Sequence, residues 1–101
     1  MRVGKVIGRV TLSQTVPSLR GARWLVVSPH GREQLEYGHD REDLPLSDEP
    51  SLVVFDNLGG GLEDTIGFIE GREAASPFDV PPPIDAINAA LIDTIFYSPK
   101  S

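Results

Sequence analysis

The sequence predicts an all-β protein, a small five-stranded barrel of OB-like type with one short C-terminal helix. Three observations predict it. Residues 3–12 alternate polar and apolar with period two, the pattern of a half-buried strand. Residues 24–27, Trp24-Leu25-Val26-Val27, are apolar on both faces and bounded by Gly21 and Pro29, which suits a central strand. Further short apolar or alternating runs at 52–55, 65–69 and 91–97 are separated by turns rich in glycine and proline. Five short strands without an internal repeat suit a closed or partly open barrel better than a two-sheet sandwich.

Composition bounds the rest. A chain of 101 residues is read as one domain over 1–101, able to bury roughly two-thirds of its unfolded surface. The absence of cysteine removes disulfides, thiolate metal ligands and cysteine nucleophiles together and fits a reducing compartment, the cytoplasm being the expectation. Residues 1–5 pass straight into the alternating pattern with no apolar leader, and no apolar run is long enough to cross a bilayer. A soluble, unprocessed chain without membrane contact is expected. The net charge of −6 opposes any partner held through phosphates, so nucleic acid is not expected either.

In the first strand Val6, Val10 and Leu12 share a side with Gly4 and Gly8, opposite Lys5, Arg9 and Thr11. The glycines weaken the strand slightly while permitting the sharp coiling of a small barrel. Residues 13–21 are polar, with Pro17 and Gly21 as punctuation and Leu19 as anchor, and are read as a loop. Trp24 is read as core or subunit interface in preference to a stacking platform for a base or sugar. Residues 29–50 form the most polar stretch and are read as a mobile excursion or a hairpin with a short strand near 34–37. His39, Asp40, Glu42 and Asp43 fall within it, but one histidine with scattered acids is read as a solvated tip and not a metal site.

Residues 76–83 hold four prolines and exclude helix or central strand, and are read as a rigid spacer in preference to a proline-rich ligand for an adaptor domain. A helix of at most two turns follows at 84–91, with Pro83 in its first turn and Asp85 near its N-terminal dipole. The final strand at 91–97 sets Ile92, Thr94 and Phe96 against Leu91, Asp93, Ile95 and Tyr97.

The stretch richest in information is 52–75, where two apolar runs flank the turn Asn57-Leu58-Gly59-Gly60-Gly61. Successive glycines supply positive φ or room for close backbone approach. One reading is a plain connection. A phosphate cradle is disfavoured, because no Lys-Ser or Lys-Thr follows and Glu63 and Asp64 repel anions. A third reading packs the glycines of several copies around a symmetry axis. Periodicity leaves the first and third open.

No catalytic constellation is present: there is no Gly-x-Ser-x-Gly, no His-Glu-x-x-His and no Gly-x-x-x-x-Gly-Lys-Ser/Thr. Glu63 and Asp64 are adjacent, so in a strand they face opposite ways. No enzyme activity, cofactor or metal is expected. A nucleic-acid barrel needs basic residues interleaved with exposed aromatics, whereas Phe55, Phe68, Phe96 and the other aromatics mostly lie within apolar runs.

Residues across nearly the whole chain resemble the bacterial microcompartment vertex proteins, the pentameric shell proteins of carboxysomes and of ethanolamine- and propanediol-utilising compartments. The likeness runs through Lys5-Val6-Ile7-Gly8-Arg9-Val10, Pro17-Ser18-Leu19-Arg20-Gly21 and Trp24-Leu25. It is strongest at Asp56-Asn57-Leu58-Gly59-Gly60-Gly61-Leu62-Glu63-Asp64, similar to the family's Asp, two residues, Gly-Ala-Gly and acidic pattern, and at Pro83-Ile84-Asp85-Ala86 with Ile92-Asp93-Thr94-Ile95. Departures are Gly60 in place of alanine, Gly67 in place of a larger apolar residue, and Gly71-Arg72-Glu73-Ala74-Ala75 against the family's Gly-Ser-x-Ala-Arg.

The resemblance implies a barrel that forms a cyclic homopentamer with a narrow axial pore and caps the five-fold vertices of a polyhedral shell in the cytoplasm, among hexameric tiles. It places Asn57, Leu58, Gly59, Gly60 and Gly61 near the five-fold axis, and Trp24 and Arg72 at the subunit interface. On this view Gly60→Leu impairs the ring or blocks the pore and spares the barrel. The alternative class is a monomeric OB-type module binding single-stranded nucleic acid or peptide.

Overall fold

The N-terminal alternation becomes β1, Arg2–Val10, with Gly4 and Val6 buried. The both-face apolar run becomes β2, Arg23–Pro29, and the central pair becomes β3, Leu52–Asp56, and β4, Thr65–Glu70. The last strand, β5, spans Ala86–Leu91. These belong to a computed structural model that describes residues 1–37 and 44–97. The strands close into a barrel in the order β1-β2-β3-β5-β4, so the expected all-β, five-stranded class is the observed one.

All neighbours pair antiparallel except β3 and β5, which run parallel and meet in a single registered pair, Phe55 with Ile87. This is the thinnest seam of the barrel. Val6, Leu25, Val27, Val54, Ile66, Phe68 and Ala86 fill the interior. Gly4 is where β1 presses closest on β2: a Cβ there would lie 2.6 Å from Val27 Cγ1 and 2.8 Å from the Ser28 carbonyl oxygen. Gly8, beyond a bulge between Val6 and Gly8, has ordinary space at 3.5 Å from Val26.

Two expectations fail. Residues 84–91 are not a helix, and 92–97 are not a strand. Alanine-rich helix propensity is a weak prior, and a helix of at most two turns carries the nucleation penalty with few bonds to offset it. The gap between β3 and β4 instead takes Ala86–Leu91 into five registered pairs with β4, which closes the barrel. That leaves 92–97 without a ladder position among the described residues. Ile92 N–H still bonds the Thr65 carbonyl at 2.9 Å, and beyond it Phe96 is 94% exposed.

The third correction concerns 32–37, which form a short helix, α1, Arg32–Tyr37, in place of a strand. Gly31 acts as its N-cap, and Gln34 reaches back to accept from the Gly31 N–H at 3.0 Å. This is one half of a capping box, legible as Gly-x-x-Gln. The Arg32–Glu36 pair at 2.9 Å, one turn apart, adds to it. The His39, Asp40, Glu42 and Asp43 group lies outside the described residues.

Candidate functional site

The glycine turn leaves β3 through Asp56, whose side chain is buried at the barrel's end. One carboxylate oxygen, Oδ1, accepts from the Leu58 N–H at 3.0 Å and from Asn88 Nδ2 at 2.9 Å. The other, Oδ2, accepts from the buried Gly60 N–H at 3.0 Å. A carboxylate following a strand satisfies the next turn's donors in this way, as Asx turns do. Asn88, carried by β5, spends its own oxygen on the Ala90 N–H at 3.2 Å. Arg23, half exposed on β2, donates to the Gly60 carbonyl at 3.0 Å and sits 3.7 Å from Asp56 Oδ2.

A second carboxylate secures the far side. Asp64 Oδ2 accepts from the Gly61 N–H at 2.8 Å, and the Asp64 N–H returns to the Gly61 carbonyl at 3.1 Å. Backbone bonds between Val6 and residues 63 and 64 then tie the loop to β1, with Lys5 bridging Glu63 at 2.8 Å. The N–H groups of Leu58, Gly60 and Gly61 are thus already held by carboxylates. Three of the turn's N–H groups are filled from within, by carboxylates whose charge opposes a phosphate at the same place.

The three glycines do different things. Gly59 has φ +85, the left-handed region that glycine enters without strain, and it is exposed beside Asn57 and Leu58. Gly60 is buried, and a Cβ on it would meet Leu25 Cδ1 at 3.0 Å and Asn88 Nδ2 at 3.2 Å. Its missing side chain therefore points at the barrel's own end. A leucine at this position would run toward Leu25 and Asn88, so the substitution bears on the barrel as well as on the ring. Asn57, Leu58 and Gly59, with Leu62 65% exposed beyond, are the surface the loop presents.

Trp24 is 9% exposed, edge-on to Phe55 at 5.6 Å, and Phe55 in turn meets Phe78 edge-on at 5.3 Å. Its partners bury it within the chain, on the opposite side of β2 from Leu25 and Val27. Its indole N–H has no acceptor among the described residues. Arg72 is exposed on the 3₁₀ turn Gly71–Ala75 and makes no ion pair or hydrogen bond among the described residues. At Gly67 the Met1 side chain occupies the space a larger residue would take, its sulfur 2.6 Å from a built Cβ.

A family model described as ethanolamine utilisation protein EutN/carboxysome matches residues 1–93. The chain belongs to the EutN/CcmL family. Solved structures to which it is similar include CcmL of Nostoc sp., at 30% identity, covering 99% of this chain and all of that one with a TM-score of 0.75. CcmL of Gloeobacter violaceus shares 26% identity over the whole of both chains, with a TM-score of 0.74. The GrpN pentameric microcompartment shell protein from Rhodospirillum rubrum shares 28%, covering 97% of this chain and 99% of that one at a TM-score of 0.73. A search of curated protein sequences gives no match.

Membership of the EutN/CcmL family bears out the resemblance seen in the sequence, and the family is one of structural shell proteins. Within this EutN/CcmL chain, sequence reasoning missed Asn88 and Arg23 as parts of the site. Asn88 was hidden by the helix expected at 84–91. A lone asparagine in an alanine-rich run carries no signal for a carboxylate that is 32 positions away. Asp56 stands in the motif, and its spacing of two and four residues to the turn N–H groups is the signal for its role.

Proposed function

We propose that the protein is a structural shell component that assembles as a cyclic homopentamer and caps the five-fold vertices of a bacterial microcompartment. Residues 1–101 act as one vertex domain in this reading. The observation that carries it is the family match along residues 1–93, with pentameric shell proteins covered end to end. Five subunits where flat tiling needs six supply curvature, so the function is closure of the shell and not catalysis. Hexameric shell proteins are the proposed neighbours, and the location is the shell within the cytoplasm.

The turn at 57–61 is proposed to face the five-fold axis, with Asn57, Leu58 and Gly59 toward the opening and Gly60 holding the turn to the barrel. Bare backbone at Gly59 and Gly61 suits a crowded axis where copies of one loop meet. Trp24 is proposed to act at the interface indirectly, by stiffening Phe55 and Phe78 over the strand surface, and Arg72 directly. Among the described residues no group of acidic and histidine side chains is arranged to hold a metal, and no helix is long and apolar enough to cross a membrane.

The test is the solution mass by light scattering over a dilution series at moderate salt. A species near five times the 11.0 kDa chain that persists on dilution supports the reading. A clean monomer overturns it in favour of an OB-type binding module.

A further inference from the structure

Charge is segregated along this chain. Residues 1–32 hold six of the nine basic residues and none of the 15 acidic ones, the first acid being Glu33. Arg2, Lys5, Arg23 and Arg32 are engaged with Glu49 and Glu70, with Glu63, with Asp56 and with Glu36. The side chains of Arg9 and Arg20, both exposed, have no partner among the described residues. They flank a cleft of about 500 Å³ between the end of β1, the 11–22 loop and the start of β2, with Val10, Leu12, Leu19 and Trp24 among its walls. Arg20 lies in the adjoining hollow, which shares Leu12, Thr15 and Gly21 with the cleft. Among the described residues no acidic side chain lines either one.

The other end of the chain has the complementary character. Residues 92–97 carry strand periodicity but, beyond the Ile92 N–H held by the Thr65 carbonyl, have no strand partner among the described residues, because Ala86–Leu91 fills the place beside β4. Asp79, Asp85 and Asp93 are exposed in this region together with Val80 at 82% and Phe96 at 94%. Six extended residues reach about 20 Å, enough to cross one face of a neighbouring barrel. An exposed phenylalanine on a strand-patterned arm is apolar surface that assembly removes from water.

We propose that the arm at 92–97 of one subunit docks in the Arg9–Trp24 cleft of the next copy, Phe96 against the apolar walls and Asp93 toward Arg9 and Arg20. The proposal rests on the cyclic assembly proposed above and names its contact. A ring needs two different patches that fit each other, and this chain carries a basic apolar cleft and an acidic apolar arm. Because the two lie on different parts of one subunit, the contact propagates head to tail. Opposite charge sets the direction and suppresses cleft-to-cleft pairing.

The experiment compares full-length wild type with F96S, R9E/R20E, D93K and the combined R9E/R20E/D93K by light scattering over a dilution series, at low and high salt. Circular dichroism melting of each dilute sample checks that the barrel is retained. Expected are a rise of about tenfold or more in the concentration at which the F96S ring dissociates, a similar rise for R9E/R20E, and partial recovery in the combined variant. Salt should weaken wild type and leave R9E/R20E less affected. Rings of F96S and R9E/R20E that dissociate at the wild-type concentration overturn the docking while leaving the pentamer standing. A wild type that is monomeric at every concentration overturns the pentamer itself, and the docking with it.

Discussion

Removing the Asp56 carboxylate tests the account of the glycine turn most directly. In Asp56→Ala two buried donors, the Gly60 N–H and Asn88 Nδ2, lose their acceptor together, while the Leu58 N–H can turn to water. Each buried donor left unpaired costs about 1–3 kcal/mol, giving ~2–6 kcal/mol in all. Set against a total stability of about 5–15 kcal/mol for a domain of this kind, that is a large fraction. At roughly 4–8 °C per kcal/mol, the melting temperature should fall by ~10 °C or more. Asp56→Asn keeps one acceptor but turns an amide N–H₂ toward donors, so its loss should be smaller but measurable. Urea unfolding at matched protein concentration, repeated across a dilution series to separate assembly from folding, measures both. A change below about 0.5 kcal/mol in Asp56→Ala would show that the turn is held by something other than this carboxylate.

The remaining expectations concern neighbouring features. Gly60→Leu should destabilise the barrel itself, because even a Cβ meets Leu25 at 3.0 Å and Asn88 at 3.2 Å; a wild-type melting curve for this variant would contradict the inward direction. Gly4→Ala should lose about 1–3 kcal/mol from overpacking against Val27 and the Ser28 carbonyl, while Gly8→Ala, with 3.5 Å of clearance, stays near wild type; equal melting temperatures would refute the distinction. His30 is lowered below its ordinary 6.5 by burial first and the Lys5 charge second. The folded state therefore favours neutral His30, so its contribution is complete above pH 6.5 and is lost as pH falls through the lower folded value. Thermal stability should decline from pH 7.5 to 5 with a slope that His30→Gln reduces, and an unchanged slope in that variant would rule this group out.

Much of the barrel was legible because burial on one or both faces imposes its period on the residues. Residues 3–12 and 24–27 carried β1 and β2, and the runs at 52–55 and 65–69 carried β3 and β4, within a residue or two of their observed ends. The family was legible in the order and spacing of Asp56, the three glycines and Asp64. The last strand was not, because Ala86–Leu91 has helical composition and becomes a strand through pairing with β4. The helix at Arg32–Tyr37 was missed for the opposite reason, its signal resting on one Gln34 cap in a polar stretch.

Sequence alone determined the all-β class, the turn and the family, since these depend on local period, on glycine's backbone freedom and on a motif with fixed spacing. Tertiary structure decided which segment closes the barrel, which way Gly60 faces and that Asp56, Asn88 and Arg23 meet. Those facts depend on contacts between residues far apart in the chain, where a carboxylate in β3 finds an amide in β5 only after the strands have been placed side by side.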